Sequence, residues 1–302
     1  MRSLLLICFC SPFLLAPSAP PQSSSMTGNG RTIRVDVEMV SLPVVVTTRE
    51  GRRITDLGRN NFQVFENSIP QAISGFSATD EPVKIVLLLD TSDSTQSKLT
   101  QIQNAAIEFV NQLHTDDEVA VLSFAQKAQI QEDFSRDRAR NEIGIKKTRP
   151  GGWTAVYEAI WLSLDVMLKP VKQRKALVLF TDGMDTYSSK GSKEETLNLA
   201  KETRATIYSV YYNTENNPQN KSKRKGGRDY LDKLSEYSGG LVFDGNKDLR
   251  TAFAEVAKEL SSQYSIGYYS TNNRHDGRFR KVEVKTNKPG FVARTKKGYY
   301  AK

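Results

Sequence analysis

Hydrophobic residues follow two different patterns along this chain. Between residues 83 and 262, short runs of consecutive apolar residues alternate with segments in which apolar residues recur at every third or fourth position. The continuous runs are typical of strands buried on both faces, and the spaced segments are typical of amphipathic helices. Strands that alternate with helices predict an α/β fold, with a mostly parallel sheet flanked by helices.

The segments on either side of this region have the period of half-buried strands. Apolar and polar residues alternate from Ile33 to Met39 in residues 32–80, and again around Val282 in residues 263–302. Each segment alone is too short to bury its apolar face. We therefore expect the two segments to pair into one small β-sandwich, with the α/β domain inserted between them. Two independent β appendages are the alternative.

Residues 1–19 have the pattern of a secretory leader. A basic start at Arg2 is followed by a short apolar core from Leu4 to Leu15 and by small residues before Pro20. This core is too short to span a bilayer as a helix, and a retained amphiphilic anchor is the alternative. Residues 20–31, rich in Pro, Ser and Gly, predict a flexible linker. We therefore expect an exported protein (secreted, periplasmic or on the cell surface) with no transmembrane segment in the mature chain.

The positions of the cysteines and histidines exclude several kinds of site, and the net charge adds one further feature. Both cysteines, Cys8 and Cys10, lie in the predicted leader, so we expect a mature chain without a disulfide or a cysteine-based zinc site. The only histidines are His114 and His275, which excludes a multi-histidine metal site. The net charge of +9 is spread along the chain, apart from a basic run within residues 213–228. We interpret that run as a solvated loop, with a contact to a polyanion as the alternative.

Side-chain oxygens stand where several elements of the α/β domain end or turn. One buried strand ends in a carboxylate followed by two hydroxyls at alternate positions, another strand ends in a second carboxylate, and a glycine pair precedes a third hydroxyl. These residues are Asp90, Ser92, Ser94, Asp182 and Thr154. The two strands are the first and the fourth of the predicted sheet, which are neighbours at the switch point of the doubly wound order 3-2-1-4-5-6. Ligand sites lie at the carboxyl ends of such strands, so we expect these oxygens to meet there.

Oxygen ligands of this kind suit a hard divalent cation. Mg²⁺ takes about six oxygens, and hydroxyls, waters and two carboxylates fill most of that shell. Mn²⁺ and Ca²⁺ are the other candidates. Two carboxylates only just neutralise a dication, so the bound ion remains electrophilic toward an outside carboxylate. We therefore expect an Asp or Glu of a protein partner to complete the shell, and we expect no nucleic acid partner.

A family resemblance appears in the same residues. The segment Asp90-Thr91-Ser92-Asp93-Ser94, together with Thr154 and Thr181-Asp182-Gly183, resembles the metal-ion-dependent adhesion site of von Willebrand factor type A domains. The resemblance implies a Rossmann-like fold over residues 83–262 and a role in adhesion or protein interaction. It also implies that the three hydroxyls are the closest metal ligands and that the two carboxylates bind directly or through water. The implied metal ligands are Asp90, Ser92, Ser94, Thr154 and Asp182.

The flanking β segments add a second resemblance, and two positions depart from the common site. Asn61–Glu66 and Gly298–Tyr300 resemble a group of secreted bacterial proteins with a VWFA-related acidobacterial domain. Asp93 stands where many members have Gly, and Trp153 immediately precedes Thr154. Asp tolerates unusual backbone angles, so the turn can be kept. Its extra negative charge is expected to tighten cation binding and to weaken the attraction for an acidic ligand.

Three alternatives compete with the metal-dependent binding module. Ser94 and Thr154 could simply cap helices, as Ser and Thr often do. A metal-assisted hydrolase or phosphoryl-transfer enzyme could use a strand-end Asp as its nucleophile. However, position 92 is Ser rather than a second acid, and neither a Gly-x-Ser-x-Gly elbow nor a Walker loop is present. A cation-free scaffold is the third alternative. The sequence favours a protein that is not an enzyme.

Overall fold

The computed structural model describes residues 39–78, 81–213 and 221–301, all of which belong to one unit, Val37–Lys302. The predicted leader with its two cysteines, the linker and the alternation before Met39 lie outside the described residues. The strands are β1 Val40–Thr48, β2 Arg53–Ile54, β3 Phe62–Glu66, β4 Ile69–Gln71, β5 Ile73–Ser77, β6 Val83–Asp90, β7 Glu118–Phe124, β8 Ala128–Ser135, β9 Arg174–Thr181, β10 Thr206–Tyr211, β11 Val242–Asp244, β12 Gln263–Tyr268, β13 Phe279–Thr286, β14 Phe291–Arg294 and β15 Gly298–Tyr300. The helices are α1 Leu99–Gln112, α2 Arg138–Lys147, α3 Val156–Trp161, α4 Lys193–Glu202, α5 Lys221–Ser238 and α6 Leu249–Ser261, and a π-helical stretch, Leu162–Leu168, continues α3.

The central sheet has six strands in the order β8-β7-β6-β9-β10-β11. All neighbouring strands are parallel except β8, which is antiparallel to β7. This is the doubly wound order expected from the sequence, with β6 and β9 as neighbours at the switch point. The predicted α/β fold class is therefore confirmed.

Helices cover both faces of this sheet, which explains the continuous apolar runs of its inner strands. In β6, Ile85, Leu87 and Leu89 belong to one hydrophobic core, whereas Val86 and Leu88 belong to the other. α1 and α6 cover the first face, and α3, α4 and α5 cover the second. Burial of each such side chain contributes roughly 1.5–3 kcal/mol. The strands that end at the candidate site are thus held from both sides.

Two helices differ from the sequence prediction. The hydrophobic pattern does not predict α2, because this helix is mostly polar. Its start is fixed by the N-cap residue Asp137, whose carboxylate accepts hydrogen bonds from the backbone N–H of Ala139 at 2.9 Å and of Arg140 at 3.3 Å. α5 includes residues 221–228, so the interpretation of that part of the basic run as a loop is wrong. Among the helices of the described residues, none is both long and apolar enough to cross a bilayer.

The N- and C-terminal β segments pair with each other in two small sheets. β1 lies between β12 and β14, β5 pairs with β12, and β3 pairs with β13 in the second sheet. The two sheets share one apolar core, which includes Leu42 and Val64 from the N-terminal segment and Tyr264 and Val284 from the C-terminal segment. Pairing buries apolar faces that neither segment could bury alone. The alternative of independent appendages is therefore wrong, and the boundaries of the individual domains stay a prediction.

A buried carboxylate connects the two terminal motifs. Glu66 is 2% exposed, and its carboxylate accepts hydrogen bonds from the hydroxyls of Tyr268 at 2.8 Å, Tyr299 at 2.7 Å and Ser270 at 2.8 Å. Glu66 ends the Asn61–Glu66 motif, and Tyr299 lies in the chain's last strand, so the two motifs meet in one cluster. Burial and the neighbouring Glu66 carboxylate raise the pKa of Tyr299 from 10.0 to about 12.

This cluster predicts a loss of stability at alkaline pH. A tyrosine whose pKa is raised by folding ionises first in the unfolded chain, so its contribution to stability is complete below pH 10 and is lost as the pH rises toward 12. We expect Tyr299→Phe to be less stable than the parent at pH 8, because its partner loses a hydrogen bond. Between pH 10 and 12 its unfolding free energy should fall less steeply, by up to about 1.4 kcal/mol per pH unit. Urea unfolding at stepped pH, with tyrosinate absorbance recorded in parallel, measures this difference; equal slopes would contradict it.

Ion pairs join the last helix of the α/β domain to the sandwich. Glu259 of α6 is 2% exposed, lies 3.3 Å from the guanidinium of Arg53 in β2, and also pairs with Arg294 in β14. Glu255, one turn earlier, pairs with Arg53 at 2.9 Å but has a more exposed side chain. Both terminal β segments therefore bind the same buried carboxylate of α6.

Candidate metal centre

Three of the predicted ligands form a hydrogen-bonded group at the end of β6. Asp90 is 2% exposed, and its Oδ1 accepts hydrogen bonds from the backbone N–H of Ser92 at 3.0 Å and from the Ser92 hydroxyl at 2.6 Å. Its Oδ2 accepts a hydrogen bond from the hydroxyl of Thr181, the last residue of β9, at 2.7 Å. The Ser92 and Ser94 hydroxyl oxygens lie 3.1 Å apart. The end of β6 and the loop that follows it thus bring a carboxylate and two hydroxyls together, as expected.

The Asp90 carboxyl group is buried without a cationic partner among the residues that the structure describes. Burial raises the pKa of its carboxyl, and the hydrogen bonds from Ser92 and Thr181 act in the opposite direction. Within the part of the chain that the structure describes, no Lys or Arg forms an ion pair with Asp90. A buried carboxylate is costly unless a positive charge or strong hydrogen bonds compensate it. Its surroundings, which consist of hydroxyl oxygens, therefore fit a hard cation.

Asp93 ties the β6 loop to the loop that carries Thr154. Its carboxylate accepts a hydrogen bond from the backbone N–H of Gly152 at 2.8 Å, and its own N–H donates to the Gly152 carbonyl at 3.0 Å. Gly152 has φ of +89°, a conformation that favours glycine. The residue that departs from the common motif thus has a positioning role: it fixes the relative position of two loops that both carry predicted ligands.

The segment after β9 holds Thr154 from the other side. The Thr154 carbonyl accepts hydrogen bonds from the N–H of Thr186 at 2.8 Å and of Tyr187 at 3.1 Å, and the Thr154 N–H donates to the Thr186 hydroxyl at 2.9 Å. Thr154 itself is half-buried. Its position is therefore set by two loops, one that follows β6 and one that follows β9.

Asp182 follows β9 directly and is 8% exposed. Its Oδ1 accepts a hydrogen bond from the N–H of Met184 at 2.9 Å. The next residue, Gly183, has φ of +78°, and a Cβ there would lie 2.6 Å from the carbonyl oxygen of Gly227 in α5. Only glycine fits this position, because both the backbone conformation and the close approach of α5 exclude a side chain.

All five predicted residues lie on neighbouring loops at the carboxyl edge of β6 and β9, but they are related in different ways. Asp90, Ser92 and Ser94 are linked by side-chain hydrogen bonds. Asp182 is adjacent in sequence to Thr181, which donates a hydrogen bond to Asp90. Thr154 is linked by backbone hydrogen bonds to Thr186 and Tyr187 in the segment after β9. Among the described residues, no group of three His, Cys, Asp or Glu side chains could hold a metal ion, so a cation here would depend on the hydroxyls and on water.

Thr181 and Asp93 have roles in the structure that their sequence context does not indicate directly. Thr181 binds the Asp90 carboxylate, and the signal for this role is a hydroxyl at the end of an otherwise apolar strand. Asp93 acts on Gly152, which is 59 positions away, so no local pattern could indicate it.

Helix capping does not explain the hydroxyls. α1 begins after Lys98 and α3 begins after Ala155, and neither helix has a side-chain hydrogen bond at its cap. Ser94 and Thr154 are therefore not cap residues, and this alternative is wrong. The site is also accessible to solvent, since Ser94 is exposed and Trp153, next to Thr154, is 62% exposed.

Comparison with known proteins identifies the central domain. The sequence model of the von Willebrand factor type A domain matches residues 85–184, a range that contains all five predicted ligands. A search of curated proteins found no significant match.

Several solved structures have a similar fold. An aerotolerance-related membrane protein from Bacteroides fragilis is 16% identical, with a TM-score of 0.46, over 59% of this chain and 98% of its own. The conserved hypothetical protein BatB from Bacteroides thetaiotaomicron is 18% identical, with a TM-score of 0.45, over 59% of this chain and 97% of its own. Proximal thread matrix protein 1 from the mussel byssus, whose metal-ion-dependent adhesion site (MIDAS) motif is occupied by zinc, is 18% identical, with a TM-score of 0.47, over 63% of this chain and 48% of its own. The sequence match places a von Willebrand factor type A domain at residues 85–184 of this chain.

Proposed function

We propose that the protein binds one divalent cation at this edge and uses it to bind an acidic group of a protein partner. Mg²⁺ is the first candidate, because the available ligands are all oxygens, and Mn²⁺ and Ca²⁺ are the others. The observation that carries the proposal is the Asp90 carboxylate, which is buried, surrounded by hydroxyls and without a cationic partner among the described residues. The proposed ligands are Asp90, Ser92, Ser94, Thr154 and Asp182.

The proposed ligands differ in charge, and this difference would leave the bound ion able to attract a further carboxylate. The hydroxyls of Ser92, Ser94 and Thr154 are neutral ligands, and the carboxylates of Asp90 and Asp182 bind directly or through water. Asp93 keeps the two hydroxyl-bearing loops together through Gly152. When bound, the cation would supply an electrophilic centre for an outside carboxylate, because two carboxylates do no more than balance its charge.

A binding role is favoured over catalysis. The position two residues after Asp90 is Ser92, which cannot act as a second acid. The two histidines do not belong to the loops of this edge: His114 follows α1, and His275 precedes β13. We further propose that the protein is exported, as the first residues predict, and that the paired terminal motifs mark it as a member of the secreted bacterial group with a VWFA-related acidobacterial domain.

Titration calorimetry of the purified protein with Mg²⁺, Mn²⁺ and Ca²⁺ tests the cation site. We expect the parent to bind one ion and Asp182→Ala to bind it at least roughly tenfold more weakly, because half of the compensating charge is removed. Asp116→Ala is the matched control, since this carboxylate is exposed and lies beyond the end of α1.

Each result separates the alternatives. If Asp182→Ala binds cations as tightly as the parent, the assigned ligands are wrong. A parent that binds no divalent cation would favour the cation-free scaffold. Metal-dependent hydrolysis of a phosphate ester that is lost in Asp182→Ala would favour the enzyme.

A further inference from the structure

A basic helix lies beside the candidate metal centre. The first part of α5 carries a cluster of positive residues, which we call the basic face: Lys221, Arg224, Lys225 and Arg228. Their spacing of three and four positions places them on one side of the helix. The buried side of α5 is different and includes Gly227, Tyr230 and Leu231. Lys221 and Lys225 are exposed, whereas Arg224 and Arg228 are half-buried.

Chain topology places the beginning of α5 at the same edge as the candidate ligands. α5 connects β10 to β11, and these two strands are parallel. A helix in such a crossover runs back along the sheet, so it starts near the carboxyl ends of the strands. Asp90 and Asp182 stand at this edge too.

Backbone contacts show how close α5 comes to the candidate ligands. A Cβ at Gly227 would lie 2.5 Å from the carbonyl oxygen of Asp182, and a Cβ at Gly183 would lie 2.6 Å from the carbonyl oxygen of Gly227. The helix and the Asp182 loop are therefore in direct contact. Lys221 and Lys225 precede Gly227 by two turns or less, which corresponds to about 3–9 Å along the helix axis.

Charges of the helix and of the candidate site act on the same side chain. The guanidinium of Arg228 lies 5.1 Å from the ring centre of Tyr211. The pKa of Tyr211 is raised by burial and by the Asp182 carboxylate, whereas Arg228 and Arg224 lower it. The basic face and Asp182 thus lie within electrostatic reach of one another.

The lysines of this face have no compensating charge among the described residues. Arg228 pairs with Asp232 at 3.3 Å. Lys221 and Lys225 are exposed, and neither forms an ion pair with a described residue. Positive charge at this place repels a metal cation and attracts an anionic partner. It therefore lowers the affinity for the cation and raises the affinity for the acidic group that the cation is proposed to bind.

We infer that the partner is recognised through a segment rich in Asp and Glu, in which one carboxylate reaches the cation and others meet the basic face of α5. The inference rests on the proposed function and names the kind of partner. A single acidic residue would use the cation alone, whereas an acidic segment would also use Lys221 and Lys225. Such a partner also offsets the repulsion from the Asp93 carboxylate, which the sequence identified as unfavourable for an acidic ligand.

Charge reversal of two lysines tests this inference. We expect Lys221→Glu/Lys225→Glu to bind a synthetic oligoglutamate peptide roughly tenfold or more weakly than the parent at low ionic strength and in the presence of Mg²⁺. The same variant should bind Mg²⁺ more tightly than the parent, because two repelling charges have become attracting ones. These opposite changes distinguish a charge effect from local unfolding, which would weaken both. Lys281→Glu/Lys288→Glu, with the same change in net charge on the sandwich, is the matched control.

The outcomes are separable from those of the cation test. Peptide binding that is lost in the α5 variant, kept in the control and absent for oligoglutamine supports the inference. Equal peptide affinity of the α5 variant and the parent overturns it, and so does stronger binding to phosphatidylglycerol vesicles or to DNA than to the peptide. If the parent binds no divalent cation yet binds the peptide through these lysines, the proposed cation bridge fails while recognition by α5 stands.

Discussion

Asp90→Asn is expected to abolish cation binding while the protein stays folded. Asparagine has the same shape, and it can keep the hydrogen bonds to Ser92 and Thr181 if the threonine hydroxyl turns to accept. What is lost is one negative charge close to the proposed ion, so the affinity for Mg²⁺ should fall roughly a hundredfold or more. Because that charge is buried without a cationic partner among the described residues, its removal should not lower the melting temperature of the cation-free protein.

Thermal unfolding with and without Mg²⁺ measures both effects. An ion that binds only the folded protein raises its melting temperature, and the increase grows with concentration. We expect this increase in the parent and in the control Asp116→Asn, but not in Asp90→Asn. An Asp90→Asn protein that Mg²⁺ stabilises as strongly as the parent would show that Asp90 is not part of the cation site.

Glu259→Ala is expected to cause the largest loss of stability. The Glu259 carboxylate is 2% exposed and is shared by Arg53 and Arg294, so its removal takes the carboxylate away from Arg294 and leaves Arg53 with only the more exposed Glu255. Breaking a buried ion pair on one side costs about 3–5 kcal/mol. For a protein of this size, such a cost lowers the melting temperature by roughly 10 °C.

Glu255→Ala provides the comparison within the same helix. Glu255 also pairs with Arg53, but its side chain is 32% exposed, and exposed pairs contribute about 1 kcal/mol or less. Chemical denaturation of both variants measures the two free energies of unfolding. Similar losses in Glu259→Ala and Glu255→Ala would contradict the structural distinction between a buried and an exposed carboxylate.

Strands with a uniform environment are the elements that the sequence predicts best. β6 and β9 are buried on both faces, so each contains an unbroken run of five apolar residues that can be recognised without knowledge of the neighbouring elements. Asp90 at the end of β6 and Asp182 directly after β9 mark the edge of the sheet. The order of strands follows from general rules of chirality and connection, which is why two residues far apart in sequence could be expected at one place.

Polar helices are the elements that the hydrophobic pattern of the sequence does not predict. α2 lacks an apolar stripe and is set by its cap at Asp137, and the first part of α5 is basic. A run of positive residues is usually a solvated segment. Here, however, Gly227 lets the helix contact the Asp182 loop, so a tertiary contact determines where the basic residues lie.

The sequence by itself determined the α/β class, favoured the pairing of the terminal β segments and indicated the five candidate ligand residues, because burial and local turns leave periodic and positional signals. Only the tertiary structure decided that Asp93 binds Gly152, that Thr181 binds Asp90, and that a basic helix lies beside them. These facts depend on contacts between residues that are distant in the chain, and such contacts form only when the sheet brings its strand ends together.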